Sequence, residues 1–407
     1  MKFNFKIYGL ITSLILMFYF PLRVNSQNLD SAFTHAEAQT KLILKEIRNS
    51  KEKLPIITGD LPLILPRTLE HGELKLVSSS DWTSGFFPGV LWYLYEYSND
   101  KKWLKVAKKF TTEIEREKFN ATTHDMGFKI NCSFGNGFRL TNNKEYKDVI
   151  VQSAKTLIGR FNPQVGAIRS WDFSSEEHEW DFPVIIDNMM NLELLFEATK
   201  ITGDSIYHQI AVHHANTTLK NHFRDDNSSF HVVDYDPVSG NSQNKNTFQG
   251  YSDDSAWARG QAWGLYGFTL CYRYTKDEIY LKQAEKIAQF IFSNNNLPND
   301  LIPYWDFDAP NVPNEPRDVS AATVIASALY ELSKYSENKE VFVTYANTIL
   351  KNISRNYKTK IGDSYGFILL NSTGFKPFDS EVEVPIIYAD YYYLEALMRL
   401  NGLNKIK

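Results

Sequence analysis

Two carboxylates stand in settings that suit proton transfer. Asp187 lies in the run Val184-Ile185-Ile186-Asp187-Asn188-Met189-Met190-Asn191-Leu192, flanked by Ile186 and two methionines. Burial among such neighbours raises an acid's pKa toward the range a proton donor needs at neutral pH. The same position, at the start of an apolar helix, equally suits an N-cap. Asp125 lies in Thr123-His124-Asp125-Met126-Gly127-Phe128, beside His124 and a glycine that lets backbone approach a ligand. A loop carboxylate with only local hydrogen bonds has the same look. Together the two make the carboxylate pair that glycosidic-bond chemistry requires.

A third block runs from Gln249 to Gly264 and holds Gln249, Trp257, Arg259, Gln261 and Trp263. Trp257 and Trp263 offer stacking planes, and Arg259 offers a fork that fits a carboxylate. Core packing accounts for the tryptophans, Trp263 above all, but not for the polar residues among them. Trp82, Trp171, His124 and His231 fall in or beside loops, where aromatics and imidazoles favour binding. None of the nine histidines forms a His-x-x-His or His-x-x-x-His pair, so no metal is expected. There is no Gly-x-Ser-x-Gly elbow and no phosphate-cradling Gly-x-x-x-x-Gly-Lys.

Helices must position these groups. Apolar residues recur at spacings of three and four over 32–49, 85–97, 100–116, 144–161, 185–202, 204–221, 255–274, 276–293, 318–335, 339–356 and 385–400. Several neighbours pair an almost wholly apolar segment (85–97, 255–274, 320–332) with an amphipathic one (102–118, 276–290, 339–351). Short turns such as Asn99–Asp100, Gly203–Asp204 and Glu337–Asn338 make them antiparallel. An inner helix covered by an outer one, repeated about six times with a period of roughly 50 to 60 residues, is the plan of a toroidal helical barrel; an open helical solenoid is the alternative. Long segments at 135–144, 162–181, 225–254 and 297–317 are expected to gather on one rim and line a cleft.

The 407 residues carry 44 basic and 48 acidic side chains, a balance that excludes a general nucleic-acid binder. Two cysteines, Cys132 and Cys271, are too few for a disulfide scaffold. The 8 Trp, 23 Tyr and 27 Phe suit either a large core or a ring-lined cleft. At the N-terminus Lys2 and Lys6 precede an apolar run, Ile7–Phe20, followed by Pro21, Arg23 and Ser26. That is the pattern of a secretory signal peptide cleaved near Ser26. The run, at about 14 residues, is too short to remain as a membrane anchor, which needs ~20. The expectation is an exported, periplasmic or secreted, soluble protein with one domain over 27–407.

The blocks Asp81–Gly89, His124–Phe128, Ile186–Leu192 and Gln249–Trp263 resemble the unsaturated glucuronyl hydrolases of glycoside hydrolase family 88. The resemblance extends to the segment 388–399. It implies an all-α (α/α)6 barrel of six helix hairpins with long loops on one rim. It implies Asp187 as catalytic acid/base and Asp125 as the second essential carboxylate. Substrate contacts then fall on Trp82, His124, Trp171, His231, Gln249, Trp257, Arg259 and Trp263. The implied substrate is an oligosaccharide left by a polysaccharide lyase, glycosaminoglycan or ulvan type, with a 4,5-unsaturated uronic acid at its non-reducing end. The implied reaction is hydration of the C4=C5 double bond, with no cofactor or metal. Competing readings are an unsaturated rhamnogalacturonyl hydrolase, a conventional inverting (α/α)6 glycosidase and a catalytically silent sugar-binding protein. No motif names the sugar next to the uronate or sets the oligomeric state.

Overall fold

One turn design reverses the chain four times. Asp100, Asn143, Asp204 and Asp277 each accept the backbone N–H two residues on, satisfying donors that a helix start leaves unpaired. The residue before each is left-handed: Asn99 at φ 54°, Asn142 at 53°, Gly203 at 76° and Lys276 at 59°. That residue closes the preceding helix, and its neighbour opens the next. The result is a set of tight αα-hairpins.

A computed structural model describes residues 26–53, 62–173, 175 and 178–405. Among them are twelve α-helices. The odd-numbered ones lie outside: α1 (Ser26–Lys53), α3 (Lys101–Thr112), α5 (Lys144–Ile158), α7 (Ser205–Asn221), α9 (Glu278–Ser293) and α11 (Lys339–Asn352). The even-numbered ones lie inside: α2 (Phe86–Ser98), α4 (Asn136–Thr141), α6 (Leu192–Thr202), α8 (Ala258–Thr275), α10 (Val319–Leu332) and α12 (Ile387–Lys405). A π-helical stretch, Gly127–Gly135, runs directly into α4 and lengthens it. Inner helices pack each against the next, and α12 returns to α2, so the ring closes into an (α/α)6 barrel rather than an open solenoid. Every residue of α10 is buried, whereas α3 buries one face only.

The second inner helix is the element that the spacing hides. The segment 135–144 reads as a glycine-rich loop but is helical over Asn136–Thr141, and with Arg139 it lines the mouth of the barrel away from Asp187. Its glycines serve close packing. A Cβ on Gly137 would come within 2.7 Å of Tyr146 and 2.8 Å of Trp92.

Among the described residues, three small antiparallel sheets sit in the loops. One pairs β1 (Leu65–Glu70) with β2 (Glu73–Val77), and another pairs β3 (Phe161–Asn162) with β4 (Ala167–Ile168). The third orders β5 (Pro183–Ile185), β6 (Val232–Tyr235) and β7 (Ser242–Asn246), with Ile185 opposite Val232. It pairs the chain just after the expected rim segment 162–181 with segment 225–254, beside Asp187. Segment 297–317 joins them through Asp306, which accepts from the Tyr251 N–H and the Ser255 hydroxyl. The apolar run of the expected signal peptide lies outside the described residues, and the expected cleavage near Ser26 falls at the start of α1. Cys132 and Cys271 are both buried and free.

Candidate active site

Asp187 sits in a 3-10 turn, Ile186–Asn191, between β5 and α6, and caps nothing: the turn's N-cap position is Ile185. Four contacts fix the turn. The Ile186 N–H donates to the His231 carbonyl at 3.0 Å. The Asn188 amide donates to the Ile168 carbonyl at 2.9 Å. The Asn191 side-chain oxygen accepts from the Phe128 N–H at 3.1 Å, and Gly127 lies against the Asn191 backbone. Since Phe128 is three residues from Asp125, Asn191 ties the two carboxylates to one framework.

Asp187 is 8% exposed. Burial pushes its carboxyl up to about 7; the Arg259 charge opposes this, and the Asp125 charge adds to it. The Trp263 indole N–H favours the ionised form. At neutral pH the group is therefore poised between acid and base.

Two histidines face the carboxylates in opposite tautomers. His231 Nδ1 accepts from the backbone N–H groups of Phe248 (3.0 Å) and Gln249 (3.1 Å). Its proton therefore sits on Nε2, which points at Asp187 Oδ2 from 3.7 Å. His124 Nδ1 meets the Ser170 carbonyl at 2.8 Å, so that nitrogen is the donor and Nε2 the acceptor. That Nε2 lies 3.3 Å from Asp125 Oδ1. Burial lowers both histidine pKa values, which keeps the rings neutral.

The remaining expected residues also converge. Trp82 is half-buried, its ring 5.5 Å from Phe128 and 5.0 Å from Tyr388. Trp257 is buried, with Arg259 4.5 Å over its ring and His231 4.7 Å away, so it packs more than it offers an open plane. Trp263 is fully buried against Phe128 and Tyr392, as core packing requires, and its buried N–H makes no hydrogen bond among the described residues. Trp171 stacks on Phe173 and meets His231 edge-on at 5.7 Å.

Arg259 differs from the expected open fork. Its Nη1 donates to Asp318 at 2.7 Å and to the Thr373 carbonyl at 2.5 Å, and its Nη2 donates to the Gly374 carbonyl. Gln249 also donates to Gly374, at 3.3 Å. Both residues thus hold the strap 371–384 over the site, and Arg259 acts on Asp187 through its charge. Asp318 in turn caps α10 through the N–H groups of Ser320 and Ala321. Arg67 pins the strap's far side by bonding Asp81 and Glu381.

Tyr388, Ser170, Asp318 and the strap were not singled out as site residues from the sequence. The Tyr388 hydroxyl is buried with no hydrogen-bond partner among the described residues, and its ring lies 5.4 Å from the Arg259 guanidinium. Asp318 carried a readable signal, an acid before an apolar helix. The strap carries none, because its hydrogen bonds are irregular. Among the described residues no group of three or more His, Cys, Asp or Glu could hold a metal ion.

Comparison with known proteins agrees with this arrangement. Residues 66–306 match the model of glycosyl hydrolase family 88. The chain is 54% identical over 329 residues to an unsaturated glucuronyl hydrolase of Formosa agariphila, covering 80% of this chain and 82% of the relative. It is 32% identical over 390 residues to an unsaturated chondroitin disaccharide hydrolase of Streptococcus agalactiae, covering 93% and 96%. A solved unsaturated glucuronyl hydrolase specific for heparin superposes with TM-score 0.87 at 43% identity, covering 94% of this chain and 99% of the other. The chain belongs to glycosyl hydrolase family 88 and is a glycoside hydrolase.

Proposed function

We propose that the chain is an unsaturated glucuronyl hydrolase. It removes the 4,5-unsaturated uronic acid from the non-reducing end of oligosaccharides that a polysaccharide lyase has produced. The observation that carries this reading is the buried Asp187 carboxyl, held near a pKa of about 7 beside Asp125 and facing a neutral His231. One group that is half protonated at neutral pH can give a proton and take one back in a single turnover.

In this reaction Asp187 protonates C4 of the double bond, and positive charge develops at C5. A water adds there and yields its proton to Asp187, which restores the acid. The C5 hemiketal then opens, the neighbouring sugar leaves with its hydroxyl, and an α-keto acid remains. His124 Nε2 and Asp125 Oδ1, two acceptors 3.3 Å apart, suit a pair of ring hydroxyls. The Arg259 charge and the Tyr388 hydroxyl suit the uronate carboxylate, and Trp82 lies beside them. No step calls for a metal or cofactor.

Relatives act on several related sugars: a streptococcal structure holds dGlcA-GalNAc6S, and another neighbour holds dGlcA-Glc-Rha-Glc. The family position supports an unsaturated glucuronyl substrate here and favours no alternative activity. Export as a periplasmic or secreted enzyme, after cleavage near Ser26, is part of the same proposal; the N-terminal charge and apolar run support it.

The test compares an unsaturated disaccharide with its saturated counterpart. Consumption of the first alone, with loss of its ultraviolet absorbance and appearance of an α-keto acid, is expected. Equal hydrolysis of both would indicate a conventional inverting glycosidase. Binding of both without turnover would indicate a sugar-binding protein.

A further inference from the structure

A row of aromatic rings leads from the reactive carboxyl to solvent. It starts at His231, whose Nε2 is 3.7 Å from Asp187, and passes to Trp171 at 5.7 Å. Trp171 meets Phe248 at 5.3 Å, and Phe248 meets Phe375 at 5.0 Å and Phe378 at 5.7 Å. Phe375 and Phe378 are 4.5 Å apart. The backbone anchors the row, because the Phe248 N–H is one of the two donors held by His231 Nδ1.

The outer ends of this row are open. Phe378 is 65% exposed, and Phe173, stacked on Trp171, is 49% exposed. A single exposed phenylalanine needs no explanation, but two at the ends of one continuous row beside a reactive site form a surface. Near the outer end Lys376 is paired with Asp379, 3.1 Å away. The row thus offers ring faces rather than an open cation.

We infer that Trp171, Phe248, Phe375 and Phe378 form an extended leaving-side subsite that takes the second and further pyranose rings of the oligosaccharide by their C–H faces. The inference rests on the proposed function and deepens it. The unsaturated sugar is a chain end, so the rest of the substrate must run outward from Asp187, and the aromatic row is a path of that kind. Pyranose C–H faces pack on aromatic rings through dispersion and removal of apolar surface from water. The enzyme then prefers oligosaccharides longer than a disaccharide, and the preference does not depend on sulfate groups.

The experiment uses an unsulfated unsaturated disaccharide and the tetrasaccharide of the same repeating unit. Wild-type kcat/KM should be about tenfold higher for the tetrasaccharide, a difference of about 1.4 kcal/mol. Phe378→Ala should bring that ratio close to one, Phe378→Trp should keep it, and added salt should leave it unchanged. A wild type without the preference, or a preference that survives Phe378→Ala, overturns the inference. If neither substrate is turned over, the proposed activity fails instead. The row is then judged by calorimetry with Asp187→Asn, where tetrasaccharide binding no tighter than that of the disaccharide overturns it.

Discussion

Asp187 draws its chemistry from its surroundings. The run of Ile186, Met189 and Met190 foretold a desolvated acid, and the structure places that acid in a turn where it caps no helix. What the sequence could not display is the field around it: Asp125 lies 62 positions away, Arg259 lies 72 away, and His231 reaches it from the residue before β6. Asp187→Asn should lower kcat by about 10²- to 10⁴-fold while leaving substrate binding in place. In the wild type, kcat/KM should fall as pH rises through about 7, because the proton that goes to C4 is then lost from Asp187. A steady-state pH profile checks this. Arg259 shows the limit of residue-level reading. Its type suggested an open fork, but Asp318 and two strap carbonyls occupy three of its four Nη N–H donors, and the strap carbonyls carry no sequence signal.

Two inner elements press on the Asp187 turn from different sides. A Cβ on Gly127 would lie 2.5 Å from the Asn191 Cα, and one on Gly267, in α8, would lie 2.4 Å from the Met189 Cβ. Gly127→Ala and Gly267→Ala should each cost about 1–3 kcal/mol through overpacking, seen as a lower midpoint in thermal or denaturant unfolding. Both should also lower kcat more than they raise KM, because the turn they displace carries the acid. Further from the site, Asp390 in α12 accepts the backbone N–H groups of Ile368 and Leu369. Asp390→Ala should cost about 2–4 kcal/mol by leaving two buried donors unpaired, which chemical denaturation measures. Eleven helices were legible because one face of each is apolar at helical spacing. The inner stretch 127–141 escaped because its glycines, chosen for close packing, erase that pattern. The short strands escaped because two to six residues leave too little alternation to read.

At the scale of the barrel, buried acids set the response to pH. Burial raises Asp187 to about 7, Asp306 to about 6 and Asp390 to about 8. Between the ordinary carboxylate range and these values the folded chain holds more protons than the unfolded one, so stability falls as pH rises through that window. Glu331 acts the other way. It bonds Arg273 and Arg399 at the mouth opposite Asp187, and these charges hold its carboxyl below the usual value despite burial. Its contribution is present above the unfolded pKa and lost in acid. The buried, neutral histidines His124, His214, His222 and His231 oppose the raised acids, because their burial costs stability as pH falls through the ordinary imidazole range. The unfolding midpoint should therefore be highest near neutral pH and fall toward both acid and pH 8.5. Asp187→Asn should be more stable than wild type by about 1–3 kcal/mol at the alkaline end and closer to it at the acidic end. Differential scanning calorimetry across pH checks both statements.

The most direct test of the account follows the ultraviolet absorbance of an unsaturated uronyl disaccharide, at pH 7, with wild type and Asp187→Asn side by side. Loss of the signal with wild type and its persistence with a folded, substrate-binding variant is the predicted result. Equal loss with both proteins would contradict the role given to Asp187.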